Sequence, residues 1–322
     1  MKAKVGSKFQ PGKIAKYAKS VFGNWQLYLM LLPALLYIIL FCYRPMYGMQ
    51  IAFRDFTFKG GITGSEWVGF DNFRRLFNSY WFPIILKNTL TLSALSLILS
   101  FPLPIIFALM VNEIRNEKIK RTLQTVSYAP HFISTVVMCG MLILLLNPDS
   151  GIINILIKAF GGTPVRFIGE PELYKWVYVL SGIWQTTGWS SIIYLATISG
   201  IDQSQYEAAE IDGASRWQRL VYITLPSLLP TISIMFILEI GGMMGGHFDQ
   251  IYNLQNDIVA SEAETLALYI YRITFERKPD YGFSTAVSMF CSVINAALMI
   301  AANTVSKRLG GGGLIGDVNN GH

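Results

Sequence analysis

Long apolar runs separated by short polar segments dominate the chain. Six stretches of 24 to 29 residues carry at most one Asp, Glu, Lys or Arg: 20–43, 88–112, 122–148, 176–201, 220–248 and 281–306. The single exception is Glu239, in the fifth stretch. A helix rises about 1.5 Å per residue, so about 20 residues cross a hydrocarbon layer roughly 30 Å thick. Every stretch is long enough, which predicts an all-α polytopic membrane protein with six transmembrane helices. Barrel strands would be short and would alternate apolar with polar positions, so a transmembrane β-barrel is excluded. Prolines 33, 102, 104 and 230 fall inside the runs and read as packing kinks whose freed carbonyls neighbouring helices satisfy.

Composition agrees. Of 322 residues, 52% are hydrophobic and 14% charged, against about 25% charged in an average soluble protein. Disordered chains and secreted disulfide scaffolds are excluded as well. The net charge of +6 gathers near the membrane rather than on a nucleic-acid-binding face. Six lysines and no acid lie in MKAKVGSKFQPGKIAKYAKS, ahead of the first run. Basic flanks stay on the cytoplasmic side, so six spans place both termini on the cytoplasmic side of a cell membrane. Ile14, Tyr17, Ala18 and Val21 alternate at helical spacing with Lys13, Lys16 and Lys19, predicting a short helix on the inner leaflet. The segment EWVGFDNFRRLFNSYWF over 66–82 predicts an amphipathic helix in the outer interface, with Phe70, Phe73, Phe77, Tyr80 and Trp81 on one side. The organisation expected is a basic cytoplasmic segment 1–24, a six-span transmembrane domain 25–309 and a flexible cytoplasmic tail 310–322.

The chain offers little to chemistry. Cys42, Cys139 and Cys291 sit in or beside apolar runs and read as buried apolar residues. His131, His247 and His322 are far apart and lack partners at ligand spacing, so no metal site is expected. No phosphate-loop, His-Glu-x-x-His or Gly-x-Ser-x-Gly pattern occurs, and no catalytic residue is assigned.

The informative segment is GIDQSQYEAAEIDGASRWQRLVYITLPSLLP, residues 200–230. Ser204 with Glu207 and Ser215 with Gln218 form two S-x-x-E/Q capping boxes. They predict two short helices parted near Asp212-Gly213, the second running through Pro226 into the fifth span. Small residues Ala208, Ala209 and Gly213 let another surface approach closely. On these features alone the segment is either a docking element or a well-capped connection.

Glu207-Ala208-Ala209, Gly213, Ile223 and Leu225-Pro226, at their spacing and between the fourth and fifth of six spans, match the EAA signature of binding-protein-dependent ABC importer permeases. The match covers every fixed position. The likeness spans about 25–309, including YGMQIAFRDF…WVGFDNFRRLF and the last span. The chain most resembles the LplB-like group of oligosaccharide permeases within the MalF-type carbohydrate family, although Gly246-His247-Phe248-Asp249-Gln250 departs from that group's usual Gly-Phe-Glu-Gln. The resemblance implies a type I importer fold, with Glu207, Ala208, Ala209 and Gly213 in the EAA coupling loop 200–226. It further implies a second, different permease, two ATP-binding subunits that hold ATP and Mg, and an extracytoplasmic solute-binding protein. The function implied is uptake of a carbohydrate, an oligosaccharide, by alternating access, with no cofactor bound by this chain.

A polar and aromatic patch, Trp184 to Ser191, lies at mid-depth of the fourth span. Trp184, Gln185 and Trp189 are candidates for sugar contact; interhelical hydrogen bonding is the alternative for such residues. Glu239 is a second candidate, since a carboxylate costs a few kcal/mol in hydrocarbon and so faces protein or water. Asn295 is a third. A rival reading, a secondary transporter driven by an ion gradient, needs several intramembrane ionisable groups and leaves the EAA loop unexplained.

Overall fold

The computed structural model describes residues 25–276, 278–308, 310 and 312–314. The inner-leaflet helix and most of the tail expected from the sequence lie outside these residues. Among the described residues four helices are long and apolar enough to cross a membrane: α1 (Trp25–Phe53), α2 (Phe82–Asn112), α6 (Arg216–Gly241) and α7 (Tyr281–Arg308). Between α2 and α6 come α3 (Glu117–Phe132), α4 (Thr135–Leu145) and α5 (Pro171–Ser199).

The run 122–148 was expected as one span. It is instead the pair α3 and α4, bent by 97°. Pro130 stands just before the break, and Ser134 restarts the helix by accepting the Val137 N–H at 3.4 Å. The carbonyl left over at Ile133 receives Gln185 Nε2 at 2.8 Å. Irregular backbone at membrane depth persists where side chains satisfy it in this way. The fifth run also breaks early. The helix stops at Gly241, and His247 adopts a left-handed φ of 61° before a new helix starts at Phe248. Asn295 Oδ1 accepts the Met244 N–H there at 3.0 Å.

α5 is the central strut. Its 29 residues reach about 43 Å at the usual rise, but Gln185, Thr186, Thr187, Ser190 and Ser191 make it more polar than the other long helices. Tyr174, Tyr178, Tyr194 and Ile198 along its length are buried. At Gly188 an added Cβ would collide with the Ser127 carbonyl of α3, so the two backbones meet in the manner small residues permit between membrane helices.

α1 behaves differently. None of its residues from Trp25 to Tyr43 is buried, and Cys42 is exposed, unlike buried Cys139 and Cys291. The expectation that all three cysteines are buried fails at Cys42 because this helix packs on the rest of the chain only through its last turns. There Asn72 Nδ2 donates to the Ala52 carbonyl at 3.0 Å. The only strands among the described residues, β1 (Arg54–Asp55) and β2 (Glu66–Trp67), pair antiparallel beyond that point. Within 66–82, where an amphipathic helix is expected, the helix is shorter, Asp71–Phe77. It buries Asn72 and Leu76 and leaves Phe70, Phe77, Tyr80 and Trp81 exposed. Arg75 ties it to Asp280 at 2.8 Å.

Candidate functional site: a projecting knuckle and a polar chamber

The segment joining α5 to α6 is a rigid knuckle. Asp202 caps its first helix, Gln203–Ile211, by accepting the Ser204 N–H at 3.0 Å. That bond holds the Asp202 carboxyl below the usual carboxylate range. The Ser204–Glu207 capping box expected from the sequence is therefore replaced by a cap two residues earlier, because α5 ends at Ser199 and the chain re-enters a helix directly after Asp202. The second box forms as read: Ser215 Oγ accepts the Gln218 N–H at 3.3 Å while Gln218 Oε1 accepts the Ser215 N–H at 2.7 Å. Between them Gly213 takes a φ of 79°, a conformation glycine adopts without steric cost. The Ala214 N–H reaches back to the Ala209 carbonyl at 2.8 Å and closes the helix end.

Two further contacts fix the knuckle to the bundle. Tyr206 Oη shares a hydrogen bond with Thr224 Oγ1 at 2.9 Å, and Arg219 pairs with Glu210 at 3.0 Å. Arg216–Gly241 is one continuous helix, so the second knuckle helix is the first turn of α6. Yet no residue of Gln203–Ile211 is buried. Glu207, Ala208 and Gly213 face outward, Ile211 is 87% exposed and Trp217 72% exposed. Both are large apolar side chains left uncovered on this projection.

Inside the bundle, two neighbouring cavities of about 150 and 200 Å³ share Ser96, Glu239 and His247 in their walls. Tyr178, Gly182, Thr186, Ser190 and Tyr194 of α5 line the first. Gln250 closes it, donating through Nε2 to the Tyr178 carbonyl at 2.8 Å and to Ser181 Oγ at 2.9 Å. The His247 ring meets Tyr178 edge-on, 6.1 Å between centroids. Glu239 itself is exposed, which places an accessible carboxylate midway along the chain's polar interior.

Of the five substrate-path candidates Trp184, Gln185, Trp189, Glu239 and Asn295, Glu239 alone enters this chamber. Gln185 is engaged at the Ile133 carbonyl and Asn295 at the Met244 N–H. Trp189 stacks on His131 at 4.5 Å with planes 7° apart. Trp184 lines a separate apolar groove with Phe107, Met110 and Pro130. The chamber's tyrosines and His247 were not foreseen. Part of their signal was present: positions 178, 182, 186, 190 and 194 keep a four-residue spacing, a ridge that winds around the helix, and Trp184 lies on the opposite side from it. Among the described residues no group of three His, Cys, Asp or Glu could hold a metal ion.

A polytopic helical bundle with polar cavities and an exposed knuckle has the architecture of a membrane transport subunit. Comparison with known proteins agrees. Residues 100–311 match the family model described as binding-protein-dependent transport system inner membrane component. Protein LplB of Bacillus subtilis (strain 168) is 40% identical over 288 residues, 89% of this chain and 90% of that one. The polygalacturonan/rhamnogalacturonan transport system permease protein YteP of the same organism is 42% identical over 288 residues, 89% of each. A chain in the crystal structure of a bacterial ABC transporter that imports the acidic polysaccharide alginate superposes with a TM-score of 0.84 at 37% identity, covering 91% of this chain and 99% of that chain. The chain belongs to the family of binding-protein-dependent transport system inner membrane components. It has the fold of an ABC importer permease and is a non-catalytic transport component of the membrane.

Proposed function

We propose that the chain is the membrane subunit of an ATP-driven importer that receives an oligosaccharide from an extracytoplasmic binding protein and releases it into the cytoplasm by alternating access. The observation that carries this reading is the knuckle: no residue of its first helix is buried, yet it is tied through Arg219 and Thr224 to α6. Glu207, Ala208, Ala209 and Gly213 are the surface on which an ATP-binding subunit seats. Ala208 and Ala209 allow its backbone to approach, and Glu207 offers a polar contact. The ATPase carries ATP and Mg, and its closure tilts α6 so that the chamber around Glu239 changes the side to which it opens. Glu239 is the substrate-path residue of this chain.

A carbohydrate cargo is supported by the names of relatives, among them a lactose transport system permease from Rhizobium radiobacter, 29% identical over 277 residues, and by YteP. An extracytoplasmic binding protein is supported by the alginate importer, solved in complex with a periplasmic protein carrying an alginate pentasaccharide. The uncovered face of α1 supplies surface for a second permease and for lipid. Residues 25–309 form the permease domain, with both termini in the cytoplasm.

Purification of the intact complex tests the reading. Two ATP-binding subunits and a second permease should copurify, and binding protein loaded with saccharide should raise ATP hydrolysis severalfold over the unloaded form. A chain that takes up solute alone, driven by an ion gradient, would overturn it.

A further inference from the structure

The charge of the chamber narrows the cargo. The side chains lining both cavities include one fixed charge, the carboxylate of Glu239, and no Lys or Arg. Among the described residues Glu239 takes part in no ion pair. The other titratable groups around the chamber are Tyr178 and Tyr194 of α5 and His247 of the turn after α6. Glu239 is thus the one carboxylate in the lining, with no Lys or Arg beside it to offset its charge.

We infer that this permease passes saccharides that lack carboxylates, and that Glu239 is the residue that sets this preference. The inference rests on the saccharide reading above. A sugar hydroxyl can donate to the Glu239 carboxylate, and such a charge-assisted bond is stronger than a neutral one. A uronate ring brings its own negative charge to the same wall. Repulsion between like charges is greater in a partly desolvated chamber than in water. Specificity of this kind comes from an element that rejects the wrong cargo as much as from contacts that hold the right one. The alginate importer is described for an acidic polysaccharide and YteP for polygalacturonan; the charge in this chamber points to the opposite class.

The test uses the complete complex, binding protein included, in proteoliposomes at pH 8. Gluco-, manno- and galacto-oligosaccharides are supplied, each beside its C6-carboxylate counterpart, and uptake is read as the neutral-to-acidic ratio. The wild-type complex should favour the neutral member by about tenfold, the scale of one modest charge repulsion. Glu239→Gln and Glu239→Arg should move that ratio toward the acid, and Glu239→Asp should retain it. Comparing ratios between variants cancels the binding protein's own preference, and a general loss of folding would lower both members equally. Wild-type uptake of the acid as readily as the neutral sugar, or a ratio unchanged in Glu239→Gln, overturns the inference. If no saccharide of either kind moves, it is the carbohydrate reading itself that fails.

Discussion

Gln185 Nε2 donates to the carbonyl of Ile133 across 2.8 Å, at the place where the third membrane segment turns by 97°. An amide on the central helix thereby holds the sharpest irregularity of the bundle. The same device recurs elsewhere. Asn295 serves the break after α6, and Asn88 Nδ2 donates to the carbonyls of Ser261 and Glu264 at 2.8 and 3.1 Å. Replacing Gln185 with Leu leaves a carbonyl unsatisfied where water is scarce, a loss of about 1–3 kcal/mol. Gln185→Leu should lower the thermal unfolding midpoint of the purified complex. A midpoint equal to wild type would show that the bend is held by something else.

Packing at Gly188 gives a sharper contrast. A Cβ there would collide with the Ser127 carbonyl, whereas at Gly182, one and a half turns away on the same helix, it would rest 3.6 Å from Gln250 Oε1. Overpacking that forces backbones apart costs about 1–3 kcal/mol or more. Gly188→Ala should cut the yield of folded protein in size-exclusion chromatography, and Gly182→Ala should leave it near wild type. Equal yields would mean that α3 and α5 can separate freely.

At the knuckle, Gly213 has open space around it but a φ of 79°. A branched or bulky side chain is strained in that region, and asparagine tolerates it. Gly213→Leu should uncouple ATP hydrolysis from uptake in proteoliposomes while the permease stays folded, and Gly213→Asn should keep most of the coupling. Full transport by Gly213→Leu would remove the knuckle from the mechanism.

The cap at Asp202 carries a pH signature. Its carboxyl is held below the ordinary value of 3.8 by the Ser204 N–H. A depressed folded-state value means the cap's contribution is present above the ordinary value and is lost as pH falls through the depressed one. Hydrogen exchange at Ser204 should therefore show constant protection, corrected for intrinsic rates, from pH 5.5 to 8. Asp202→Ala should lose that protection and Asp202→Asn should largely keep it, since both Asp and Asn cap well. Loss of protection on moving from pH 8 to 6 would contradict this assignment.

Much of this molecule is legible in the amino-acid order. Charge-free runs of span length locate the membrane segments, because no buried ion can be tolerated there. Ser215, Gln218 and Gly213 announce the second knuckle helix and the turn before it, since capping and left-handed backbone depend on neighbouring residues alone. Glu239 stands out because a carboxylate in an apolar run needs a reason. What stays hidden depends on distant partners. The bend at Ile133 interrupts no apolar pattern, and its clearest local trace is Pro130 followed by Ser134. Whether Gln185 meets a sugar or a carbonyl is decided by Ile133 in the bend between α3 and α4, 52 residues from it. Asp202 displaces Ser204 as the cap because of where α5 happens to end.

The central claim is that the knuckle seats on a motor subunit and passes its movement to α6. Disulfide or bifunctional cross-linking from Ala208→Cys in the intact complex tests this directly. The account predicts a cross-link to the ATP-binding subunit that forms in good yield and arrests both saccharide uptake and substrate-stimulated ATP hydrolysis, with both restored when the link is cleaved. Quantitative cross-linking that leaves uptake at its wild-type rate, or no cross-link to the ATPase in a complex that transports normally, would contradict it.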